Sequence, residues 1–289
     1  MSSFYDDFND ICRDADRELR AAFEDARSGS PITRGDWRLL VRSAADRLLA
    51  VNAFSRVCVG RALFAEIDGV LCDEHGEHQS PMYKVTLIPK KGMTTTDTRG
   101  FDLTSIKMRL RADLGGISYM GAIEPAYYAS LPKNKGQERK AICWHVHLVV
   151  WGLSVEELNE FVGKLRKNKA YRPVVREFAS INVAAIANGE LRDVFAYIVK
   201  PPIHAYRVTR YPHYDTEGKI RTRRNGTRRF FSQQKASKLR ESERVTLFHA
   251  TKHLGLDELM VAGGRGSDLR KQVLRRAARD LNPRRLGGS

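Results

Sequence analysis

Several features are scarce in this sequence, and each scarcity rules out a class of protein. No G-x-x-x-x-G-K-[ST] phosphate loop occurs in the 289 residues, so an ATP-driven helicase domain is not expected among them. No apolar run approaches the ~20 residues that a bilayer crossing requires. The opening segment, Met1 to Asp10, is acidic and lacks the basic-then-apolar build of a secretion signal. The four cysteines, Cys12, Cys58, Cys72 and Cys143, are scattered without a C-x-x-C spacing. That pattern argues against a zinc cluster and for reduced thiols in a cytoplasmic protein.

Positive charge is plentiful. The formal net charge is +16, and a chain this basic is drawn to polyanions because each phosphate contact releases counterions. A merely soluble basic protein, or one that touches anionic lipid, would show the same total, so the distribution matters. Residues 1 to 30 hold eight acids against four arginines, whereas Lys219 to Phe230 hold six basic residues and no acid. From Arg265 to Arg285 there are eight basic residues against two aspartates. Nucleic acid, with no membrane partner, is the reading this asymmetry favours. A hydrophobic fraction of 42% and a charged fraction of 29% are those of a globular chain with one large domain or two smaller ones.

Periodicity divides the chain. Phe8, Ile11, Ala15, Leu19, Ala22, Phe23 and Ala26 recur at helical spacing. After Ser28-Gly29-Ser30-Pro31, so do Trp37, Leu40, Val41, Ala44, Leu48 and Val51. The two segments predict a helical hairpin. Residues 73 to 81 are polar and read as a loop. Tyr83 to Ile88 predicts a strand. Asp102 is an N-cap for a helix with Leu103, Ile106, Leu110 and Leu114 inward, stopped by Gly115-Gly116. Ile117 to Tyr128 and Ala141 to Trp151 predict strands joined by a turn over residues 130 to 140. Val155 to Lys167 predicts a helix, Phe178 to Ile186 a strand, and Glu190 to Lys200 a helix ended by Pro201-Pro202. This order predicts an α+β domain of the split βαβ, ferredoxin-like kind, an antiparallel sheet with its helices on one face and the other face free for a site. Beyond it, Ala205 to Phe231 reads as a basic hairpin around Asp215-Thr216-Glu217-Gly218 or as a mobile loop. Val245 to Leu259 and Ser267 to Leu281 read as helices, and Gly287-Gly288-Ser289 as a frayed end. The expected division is 1–70 helical, 83–202 the α+β domain and 203–289 a basic DNA-binding extension.

The chemistry centres on Trp144-His145-Val146-His147-Leu148. On a strand, residues two apart share a face. His145 and His147 therefore stand together while Trp144, Val146 and Leu148 point into the hydrophobic layer. Paired imidazoles on a rigid strand suit a divalent metal; a pair of ordinary half-buried histidines fits the same pattern. Glu124, among Ile123 and Pro125 on the preceding strand, reaches the histidines if the two strands pair, and an isolated carboxylate there is costly unless paired or metal-bound. The alternative is an edge-strand glutamate facing water. His75, His78 and Asp97 lie in expected loops and are weaker substitutes. On the later helix Tyr197 and Lys200, three apart, share a face, with Asp193 a turn earlier. A phenol and an ammonium near a metal are what phosphodiester cleavage by a protein nucleophile uses.

In these residues, His145-Val146-His147 and Tyr197-Ile198-Val199-Lys200, and more loosely in Glu124, the chain resembles the HUH single-stranded DNA endonucleases. Within them it looks most like the Rep class, initiators of rolling-circle replication. The resemblance covers residues 83 to 202. It implies that His145, His147 and Glu124 bind Mg²⁺ or Mn²⁺, that Tyr197 attacks to leave a 5′-phosphotyrosine and a free 3′-hydroxyl, and that Lys200 assists. It also implies origin DNA, single-stranded or hairpin, of a plasmid or phage, with a host helicase and polymerase as partners. The next tyrosine, Tyr206, lies beyond Pro201-Pro202, so one catalytic tyrosine is expected. Arg221, Arg223, Arg224, Arg228 and Arg229, mixed with Phe230 and Phe231, are expected to hold phosphates and stack on unpaired bases. Two other readings stand beside this one. A single-strand transposase shares both motifs. A non-catalytic nucleic-acid-binding module would display aromatics on the open sheet face, where this chain is expected to carry Cys143, His145, His147, Val149 and Trp151.

Overall fold

The computed structural model describes residues 5–25, 32–41, 47–96, 101–132, 138–175, 177–222, 224 and 229–282. The centre of its sheet is four antiparallel strands in the order β5 (Ile181–Ala185), β1 (Met82–Leu87), β4 (Glu138–Trp151) and β3 (Ser118–Pro132). A two-residue strand, β2 (Met93–Thr94), also pairs with β4. Three further strands come from residues 203–289, the expected basic extension. β8 (Met260–Gly263) runs antiparallel to the first half of β3, from Tyr119 to Ala122. β6 (His204–Pro212) runs parallel to the second half, from Tyr127 to Ser130, and β7 (Phe230–Lys238) closes a hairpin with β6. The sheet is therefore mixed, and the fold is α+β.

Local sequence accounts for much of this. In β4 the residues of one parity, Ile142, Trp144, Val146, Leu148 and Val150, are all at most 1% exposed. Pro125 falls in the stretch of β3 between its β8 and β6 pairings, where the strand has a partner on one side only and proline is tolerated. At Gly121 a Cβ would collide with the His147 carbonyl, so only glycine lets β3 lie this close to β4. Helix α4 (Thr104–Asp113) ends ahead of Gly116, whose φ of +82° is left-handed, and α5 (Val155–Lys167) starts from a Ser154–Glu157 capping box.

Helices cover both faces, which corrects the expectation of an open one. Phe101, just before α4, stacks on Trp144 at 5.0 Å between ring centroids, marking one face. On the other, histidine-bearing face, α6 (Leu191–Val199) brings Tyr197 against His147, and Gly266 at the start of α9 (Gly266–Leu281) packs on Trp151. Cys143, Val149 and Trp151, expected to be displayed, are buried, Cys143 in a separate cluster with Tyr128, Leu131 and Val208. The expected second N-terminal helix also differs. α2 is short (Arg34–Leu39), Leu49 makes a β-bridge to Gly255, and residues 42–46 lie outside the described residues. The long helix is α3 (Ala53–Leu71), which lies against α1 (Phe8–Glu24), α6 and α9. Leu63, Ile67 and Leu71 are at most 1% exposed; burying each stabilises the fold by about 2 kcal/mol. α1 rests on α3 and on α7 (Glu241–Thr251), so no isolated hairpin forms.

Candidate metal centre

Strand register places the acid beside the imidazoles. Glu124 is the direct cross-strand partner of His145, and His147 is two residues along β4 on the same face. Nε2 of His145 lies 2.8 Å from Nε2 of His147, and Glu124 Oε2 lies 3.5 and 3.3 Å from these two nitrogens. One ligand atom from each residue falls within 4.8 Å of the others, and this is the only such group of metal-ligating side chains among the described residues. The group can hold a metal ion.

The surroundings suit that role. Nδ1 of His145 faces the Cys143 carbonyl at 3.3 Å, a contact that requires the proton on Nδ1 and leaves the Nε2 lone pair directed at the cluster. Nδ1 of His147 meets the Thr86 hydroxyl at 2.9 Å, which can accept its proton in the same way. Burial lowers the His147 pKa to about 4, with proximity to His145 a further cause, so the imidazole is neutral at pH 7. Glu124 is buried, which alone would raise its pKa, but the Lys200 ammonium holds it well below the usual carboxylate range. A carboxylate and two imidazole nitrogens are a divalent-cation donor set.

Lys200 stands just past the end of α6, not within it. Pro201 forces the preceding residue out of helical backbone, and Lys200 adopts φ −58°, ψ 156°. Its Nζ is 2.8 Å from Glu124 Oε1, the oxygen turned away from the histidines. Tyr197 packs edge-on to His147 with ring centroids 5.3 Å apart. Lys200 Nζ lies 4.5 Å from the centre of the Tyr197 ring. Burial raises the phenol's pKa, and the charge of Glu124 and a hydrogen bond with Tyr206 add to the rise. Asp193 takes no part; its Oδ1 accepts from the Tyr5 backbone N–H at 2.7 Å.

Four residues complete the site; Thr86, Lys84 and Arg56 are assigned no role by the sequence pattern, and Tyr206 is named there only as a tyrosine too distant to be catalytic. Thr86 and Lys84 alternate along β1 onto the same face, and Lys84 Nζ is 4.0 Å from the Tyr197 ring centre. Tyr206 returns on β6, hydrogen-bonds Tyr197 and stacks on Tyr128 at 5.3 Å. Arg56 of α3 is buried and donates to the carbonyls of Ala50, Val199 and Lys200 at 2.7 to 2.9 Å, so it ties off the end of α6. The strand alternation of Tyr83-Lys84-Val85-Thr86 was the one available signal for the first pair. The turn at 73–81 keeps His75 and His78 apart from the cluster, and Asp97 lies outside the described residues.

Of the five expected DNA-contacting arginines, Arg221, Arg224 and Arg229 are exposed around the β6–β7 hairpin, and Arg223 and Arg228 lie outside the described residues. Beside them Tyr211 stacks on Phe231 at 5.6 Å, and the Arg210 guanidinium lies 5.0 Å from the Phe230 ring centre. All three rings are solvent-exposed. No helix among the described residues is long and apolar enough to cross a membrane. No protein-family model matches the chain, and neither the curated proteins nor the solved structures contain a significant match to it.

Proposed function

We propose that this chain nicks and rejoins single-stranded DNA in the manner of the Rep-class HUH endonucleases, with Tyr197 as nucleophile and Glu124, His145 and His147 as ligands of Mg²⁺ or Mn²⁺. The observation that carries the reading is the convergence of a three-donor cluster, a half-buried phenol and a lysine from three separate segments of the chain. The antiparallel run β5-β1-β4-β3, with both histidines on a central strand, adds support.

A divalent cation in the cluster would polarise the phosphodiester and offset the charge that develops on it. Tyr197 Oη attacks phosphorus, the bond to the 3′-oxygen breaks, and that oxygen leaves as a hydroxyl after taking up a proton. The strand's 5′-phosphate stays on the tyrosine. Attack by the freed or another 3′-hydroxyl reverses these steps and releases the enzyme. A phenol with a raised pKa does not ionise unaided. The cations beside its ring lower the cost of the phenolate as the proton leaves. Lys200 also keeps Glu124 ionised. The hydrogen bond to Tyr206 fixes the direction of the Tyr197 hydroxyl.

The β6–β7 hairpin supplies a route for the strand. Its first strand carries Tyr206, in contact with the nucleophile, near its start and reaches Tyr211 about 17 Å further on at the usual rise of a strand. There exposed aromatic rings and arginines suit unpaired bases and phosphates. On this reading the free 3′-hydroxyl primes replication of a plasmid or phage, with unwinding and synthesis left to the host. Incubation with Mn²⁺ and labelled single-stranded oligonucleotides should give a covalent adduct in denaturing gels, lost with chelator and in Tyr197→Phe. Absence of any adduct across strands containing the replicon's own origin would overturn the proposal.

A further inference from the structure

Lys84 is the one cation at the site without an assigned partner. β1 lies between β4 and β5, so its side chains are fixed by ladders on both edges, and Thr86, two residues along, is held at His147. Lys84 shares that face. Its ammonium is half-buried, and the Tyr197 ring 4.0 Å away is its one close partner; among the described residues it makes no ion pair. Glu124, the carboxylate nearby, is already engaged by Lys200 and both histidines. Burial and the neighbouring Lys200 charge pull the Lys84 pKa down, and only Glu124 opposes them.

We propose that the Lys84 ammonium is an anion subsite that holds a phosphodiester oxygen of a bound single strand beside the Tyr197 hydroxyl, while Lys200 remains on Glu124. The inference rests on the reading that a nucleic-acid strand enters this site, but it concerns binding and needs no cleavage. A half-buried ammonium without a counterion is unfavourable, and a phosphate oxygen gives it the charge-assisted partner that the protein lacks. The aromatic face alone is a weak substitute for that partner.

The test is a salt titration of labelled (dT)₁₂ binding, in chelator so that no metal or cleavage intervenes, followed by fluorescence anisotropy. Lys84→Gln should bind about tenfold more weakly, the effect of losing one charge-assisted hydrogen bond. The slope of log affinity against log salt should fall by about 0.7, the value for one single-strand phosphate contact. Lys84→Arg should restore both. Lys164→Gln, which removes an exposed lysine paired with Glu160 on α5, should change neither. Lys84→Met, which keeps the apolar stem against Tyr197, replaces the glutamine variant if that one melts early. A folded Lys84 variant with the affinity and slope of the unaltered protein overturns the proposal, whatever the nicking assay shows. Loss of affinity and slope in a protein that never forms an adduct retains the subsite and removes the nicking reading instead.

Discussion

Replacing Lys200 with methionine tests whether one carboxylate serves both the lysine and a metal. Lys200 and Glu124 form a buried pair, their side chains 6% and 10% exposed and 2.8 Å apart. Removing one partner of such a pair leaves a charge without compensation, at about 3–5 kcal/mol. For a chain of this size each kcal/mol moves the midpoint of thermal unfolding by about 2 °C or somewhat more, so metal-free Lys200→Met should melt about 6–10 °C below the unaltered protein. Mn²⁺ at one hundred times its dissociation constant stabilises the unaltered protein by about 2.7 kcal/mol, or about 5 °C. In Lys200→Met the cation also neutralises Glu124 Oε1, so saturating Mn²⁺ should raise the melting temperature by more than it does in the unaltered protein. Glu124→Gln should abolish the Mn²⁺ shift altogether, and the double variant should lose less stability than Lys200→Met alone. The assay is differential scanning fluorimetry in chelator and in saturating Mn²⁺. A Mn²⁺ shift in Lys200→Met no larger than in the unaltered protein would refute the shared carboxylate.

Three further outcomes follow from the same geometry. Arg56→Ala should cost at least about 3 kcal/mol, because three buried carbonyls lose a charged donor; urea unfolding should show a lower midpoint with an unchanged slope, and Arg56→Lys should recover only part. Metal-free stability should fall on acidification. His147 has a folded pKa of about 4 against an ordinary 6.5, so its contribution is present above pH 6.5 and is lost as the pH falls towards 4. At pH 5 that loss is about 2 kcal/mol, and His147→Gln should show a flatter profile between pH 7 and 5 in chemical unfolding. Phe231→Ala should weaken (dT)₁₂ binding by about 1–3 kcal/mol, the value of one base–aromatic stack, and leave the Mn²⁺ melting shift unchanged.

What local pattern encodes was readable from the sequence, and what depends on neighbours was not. The alternation of Trp144 to Val150 announced a strand with both histidines on one side, the helical pattern of Val155 to Lys167 announced α5, and Gly115-Gly116 announced the end of α4. Glu124 beside His145 required only that two consecutive strands pair through a short connection. Helix α3 left no amphipathic stripe because it is buried against several helices, and its residues repeat on no single face. The closure of the histidine face was likewise invisible, since it depends on α9 and β8 arriving from the far end of the chain. Tyr206 stands nine positions beyond Tyr197, past two prolines. Its return to the nucleophile is set by the parallel pairing of β6 with Tyr127 and Tyr128, which no local rule predicts. Lys84 and Thr86 were on a recognisable strand, but their roles appear only once His147 and Tyr197 lie next to them.

The chemistry itself is tested most directly by finding where the DNA becomes attached. The protein is incubated with Mn²⁺ and a strand that carries its nick site, digested with nuclease and protease, and the peptides are sequenced by mass spectrometry. A nucleotide joined through its 5′-phosphate to Tyr197, and absent when His147 is replaced, is the predicted result. Attachment to Tyr206 or to another side chain, or attachment to Tyr197 that survives loss of both histidines, would contradict the account.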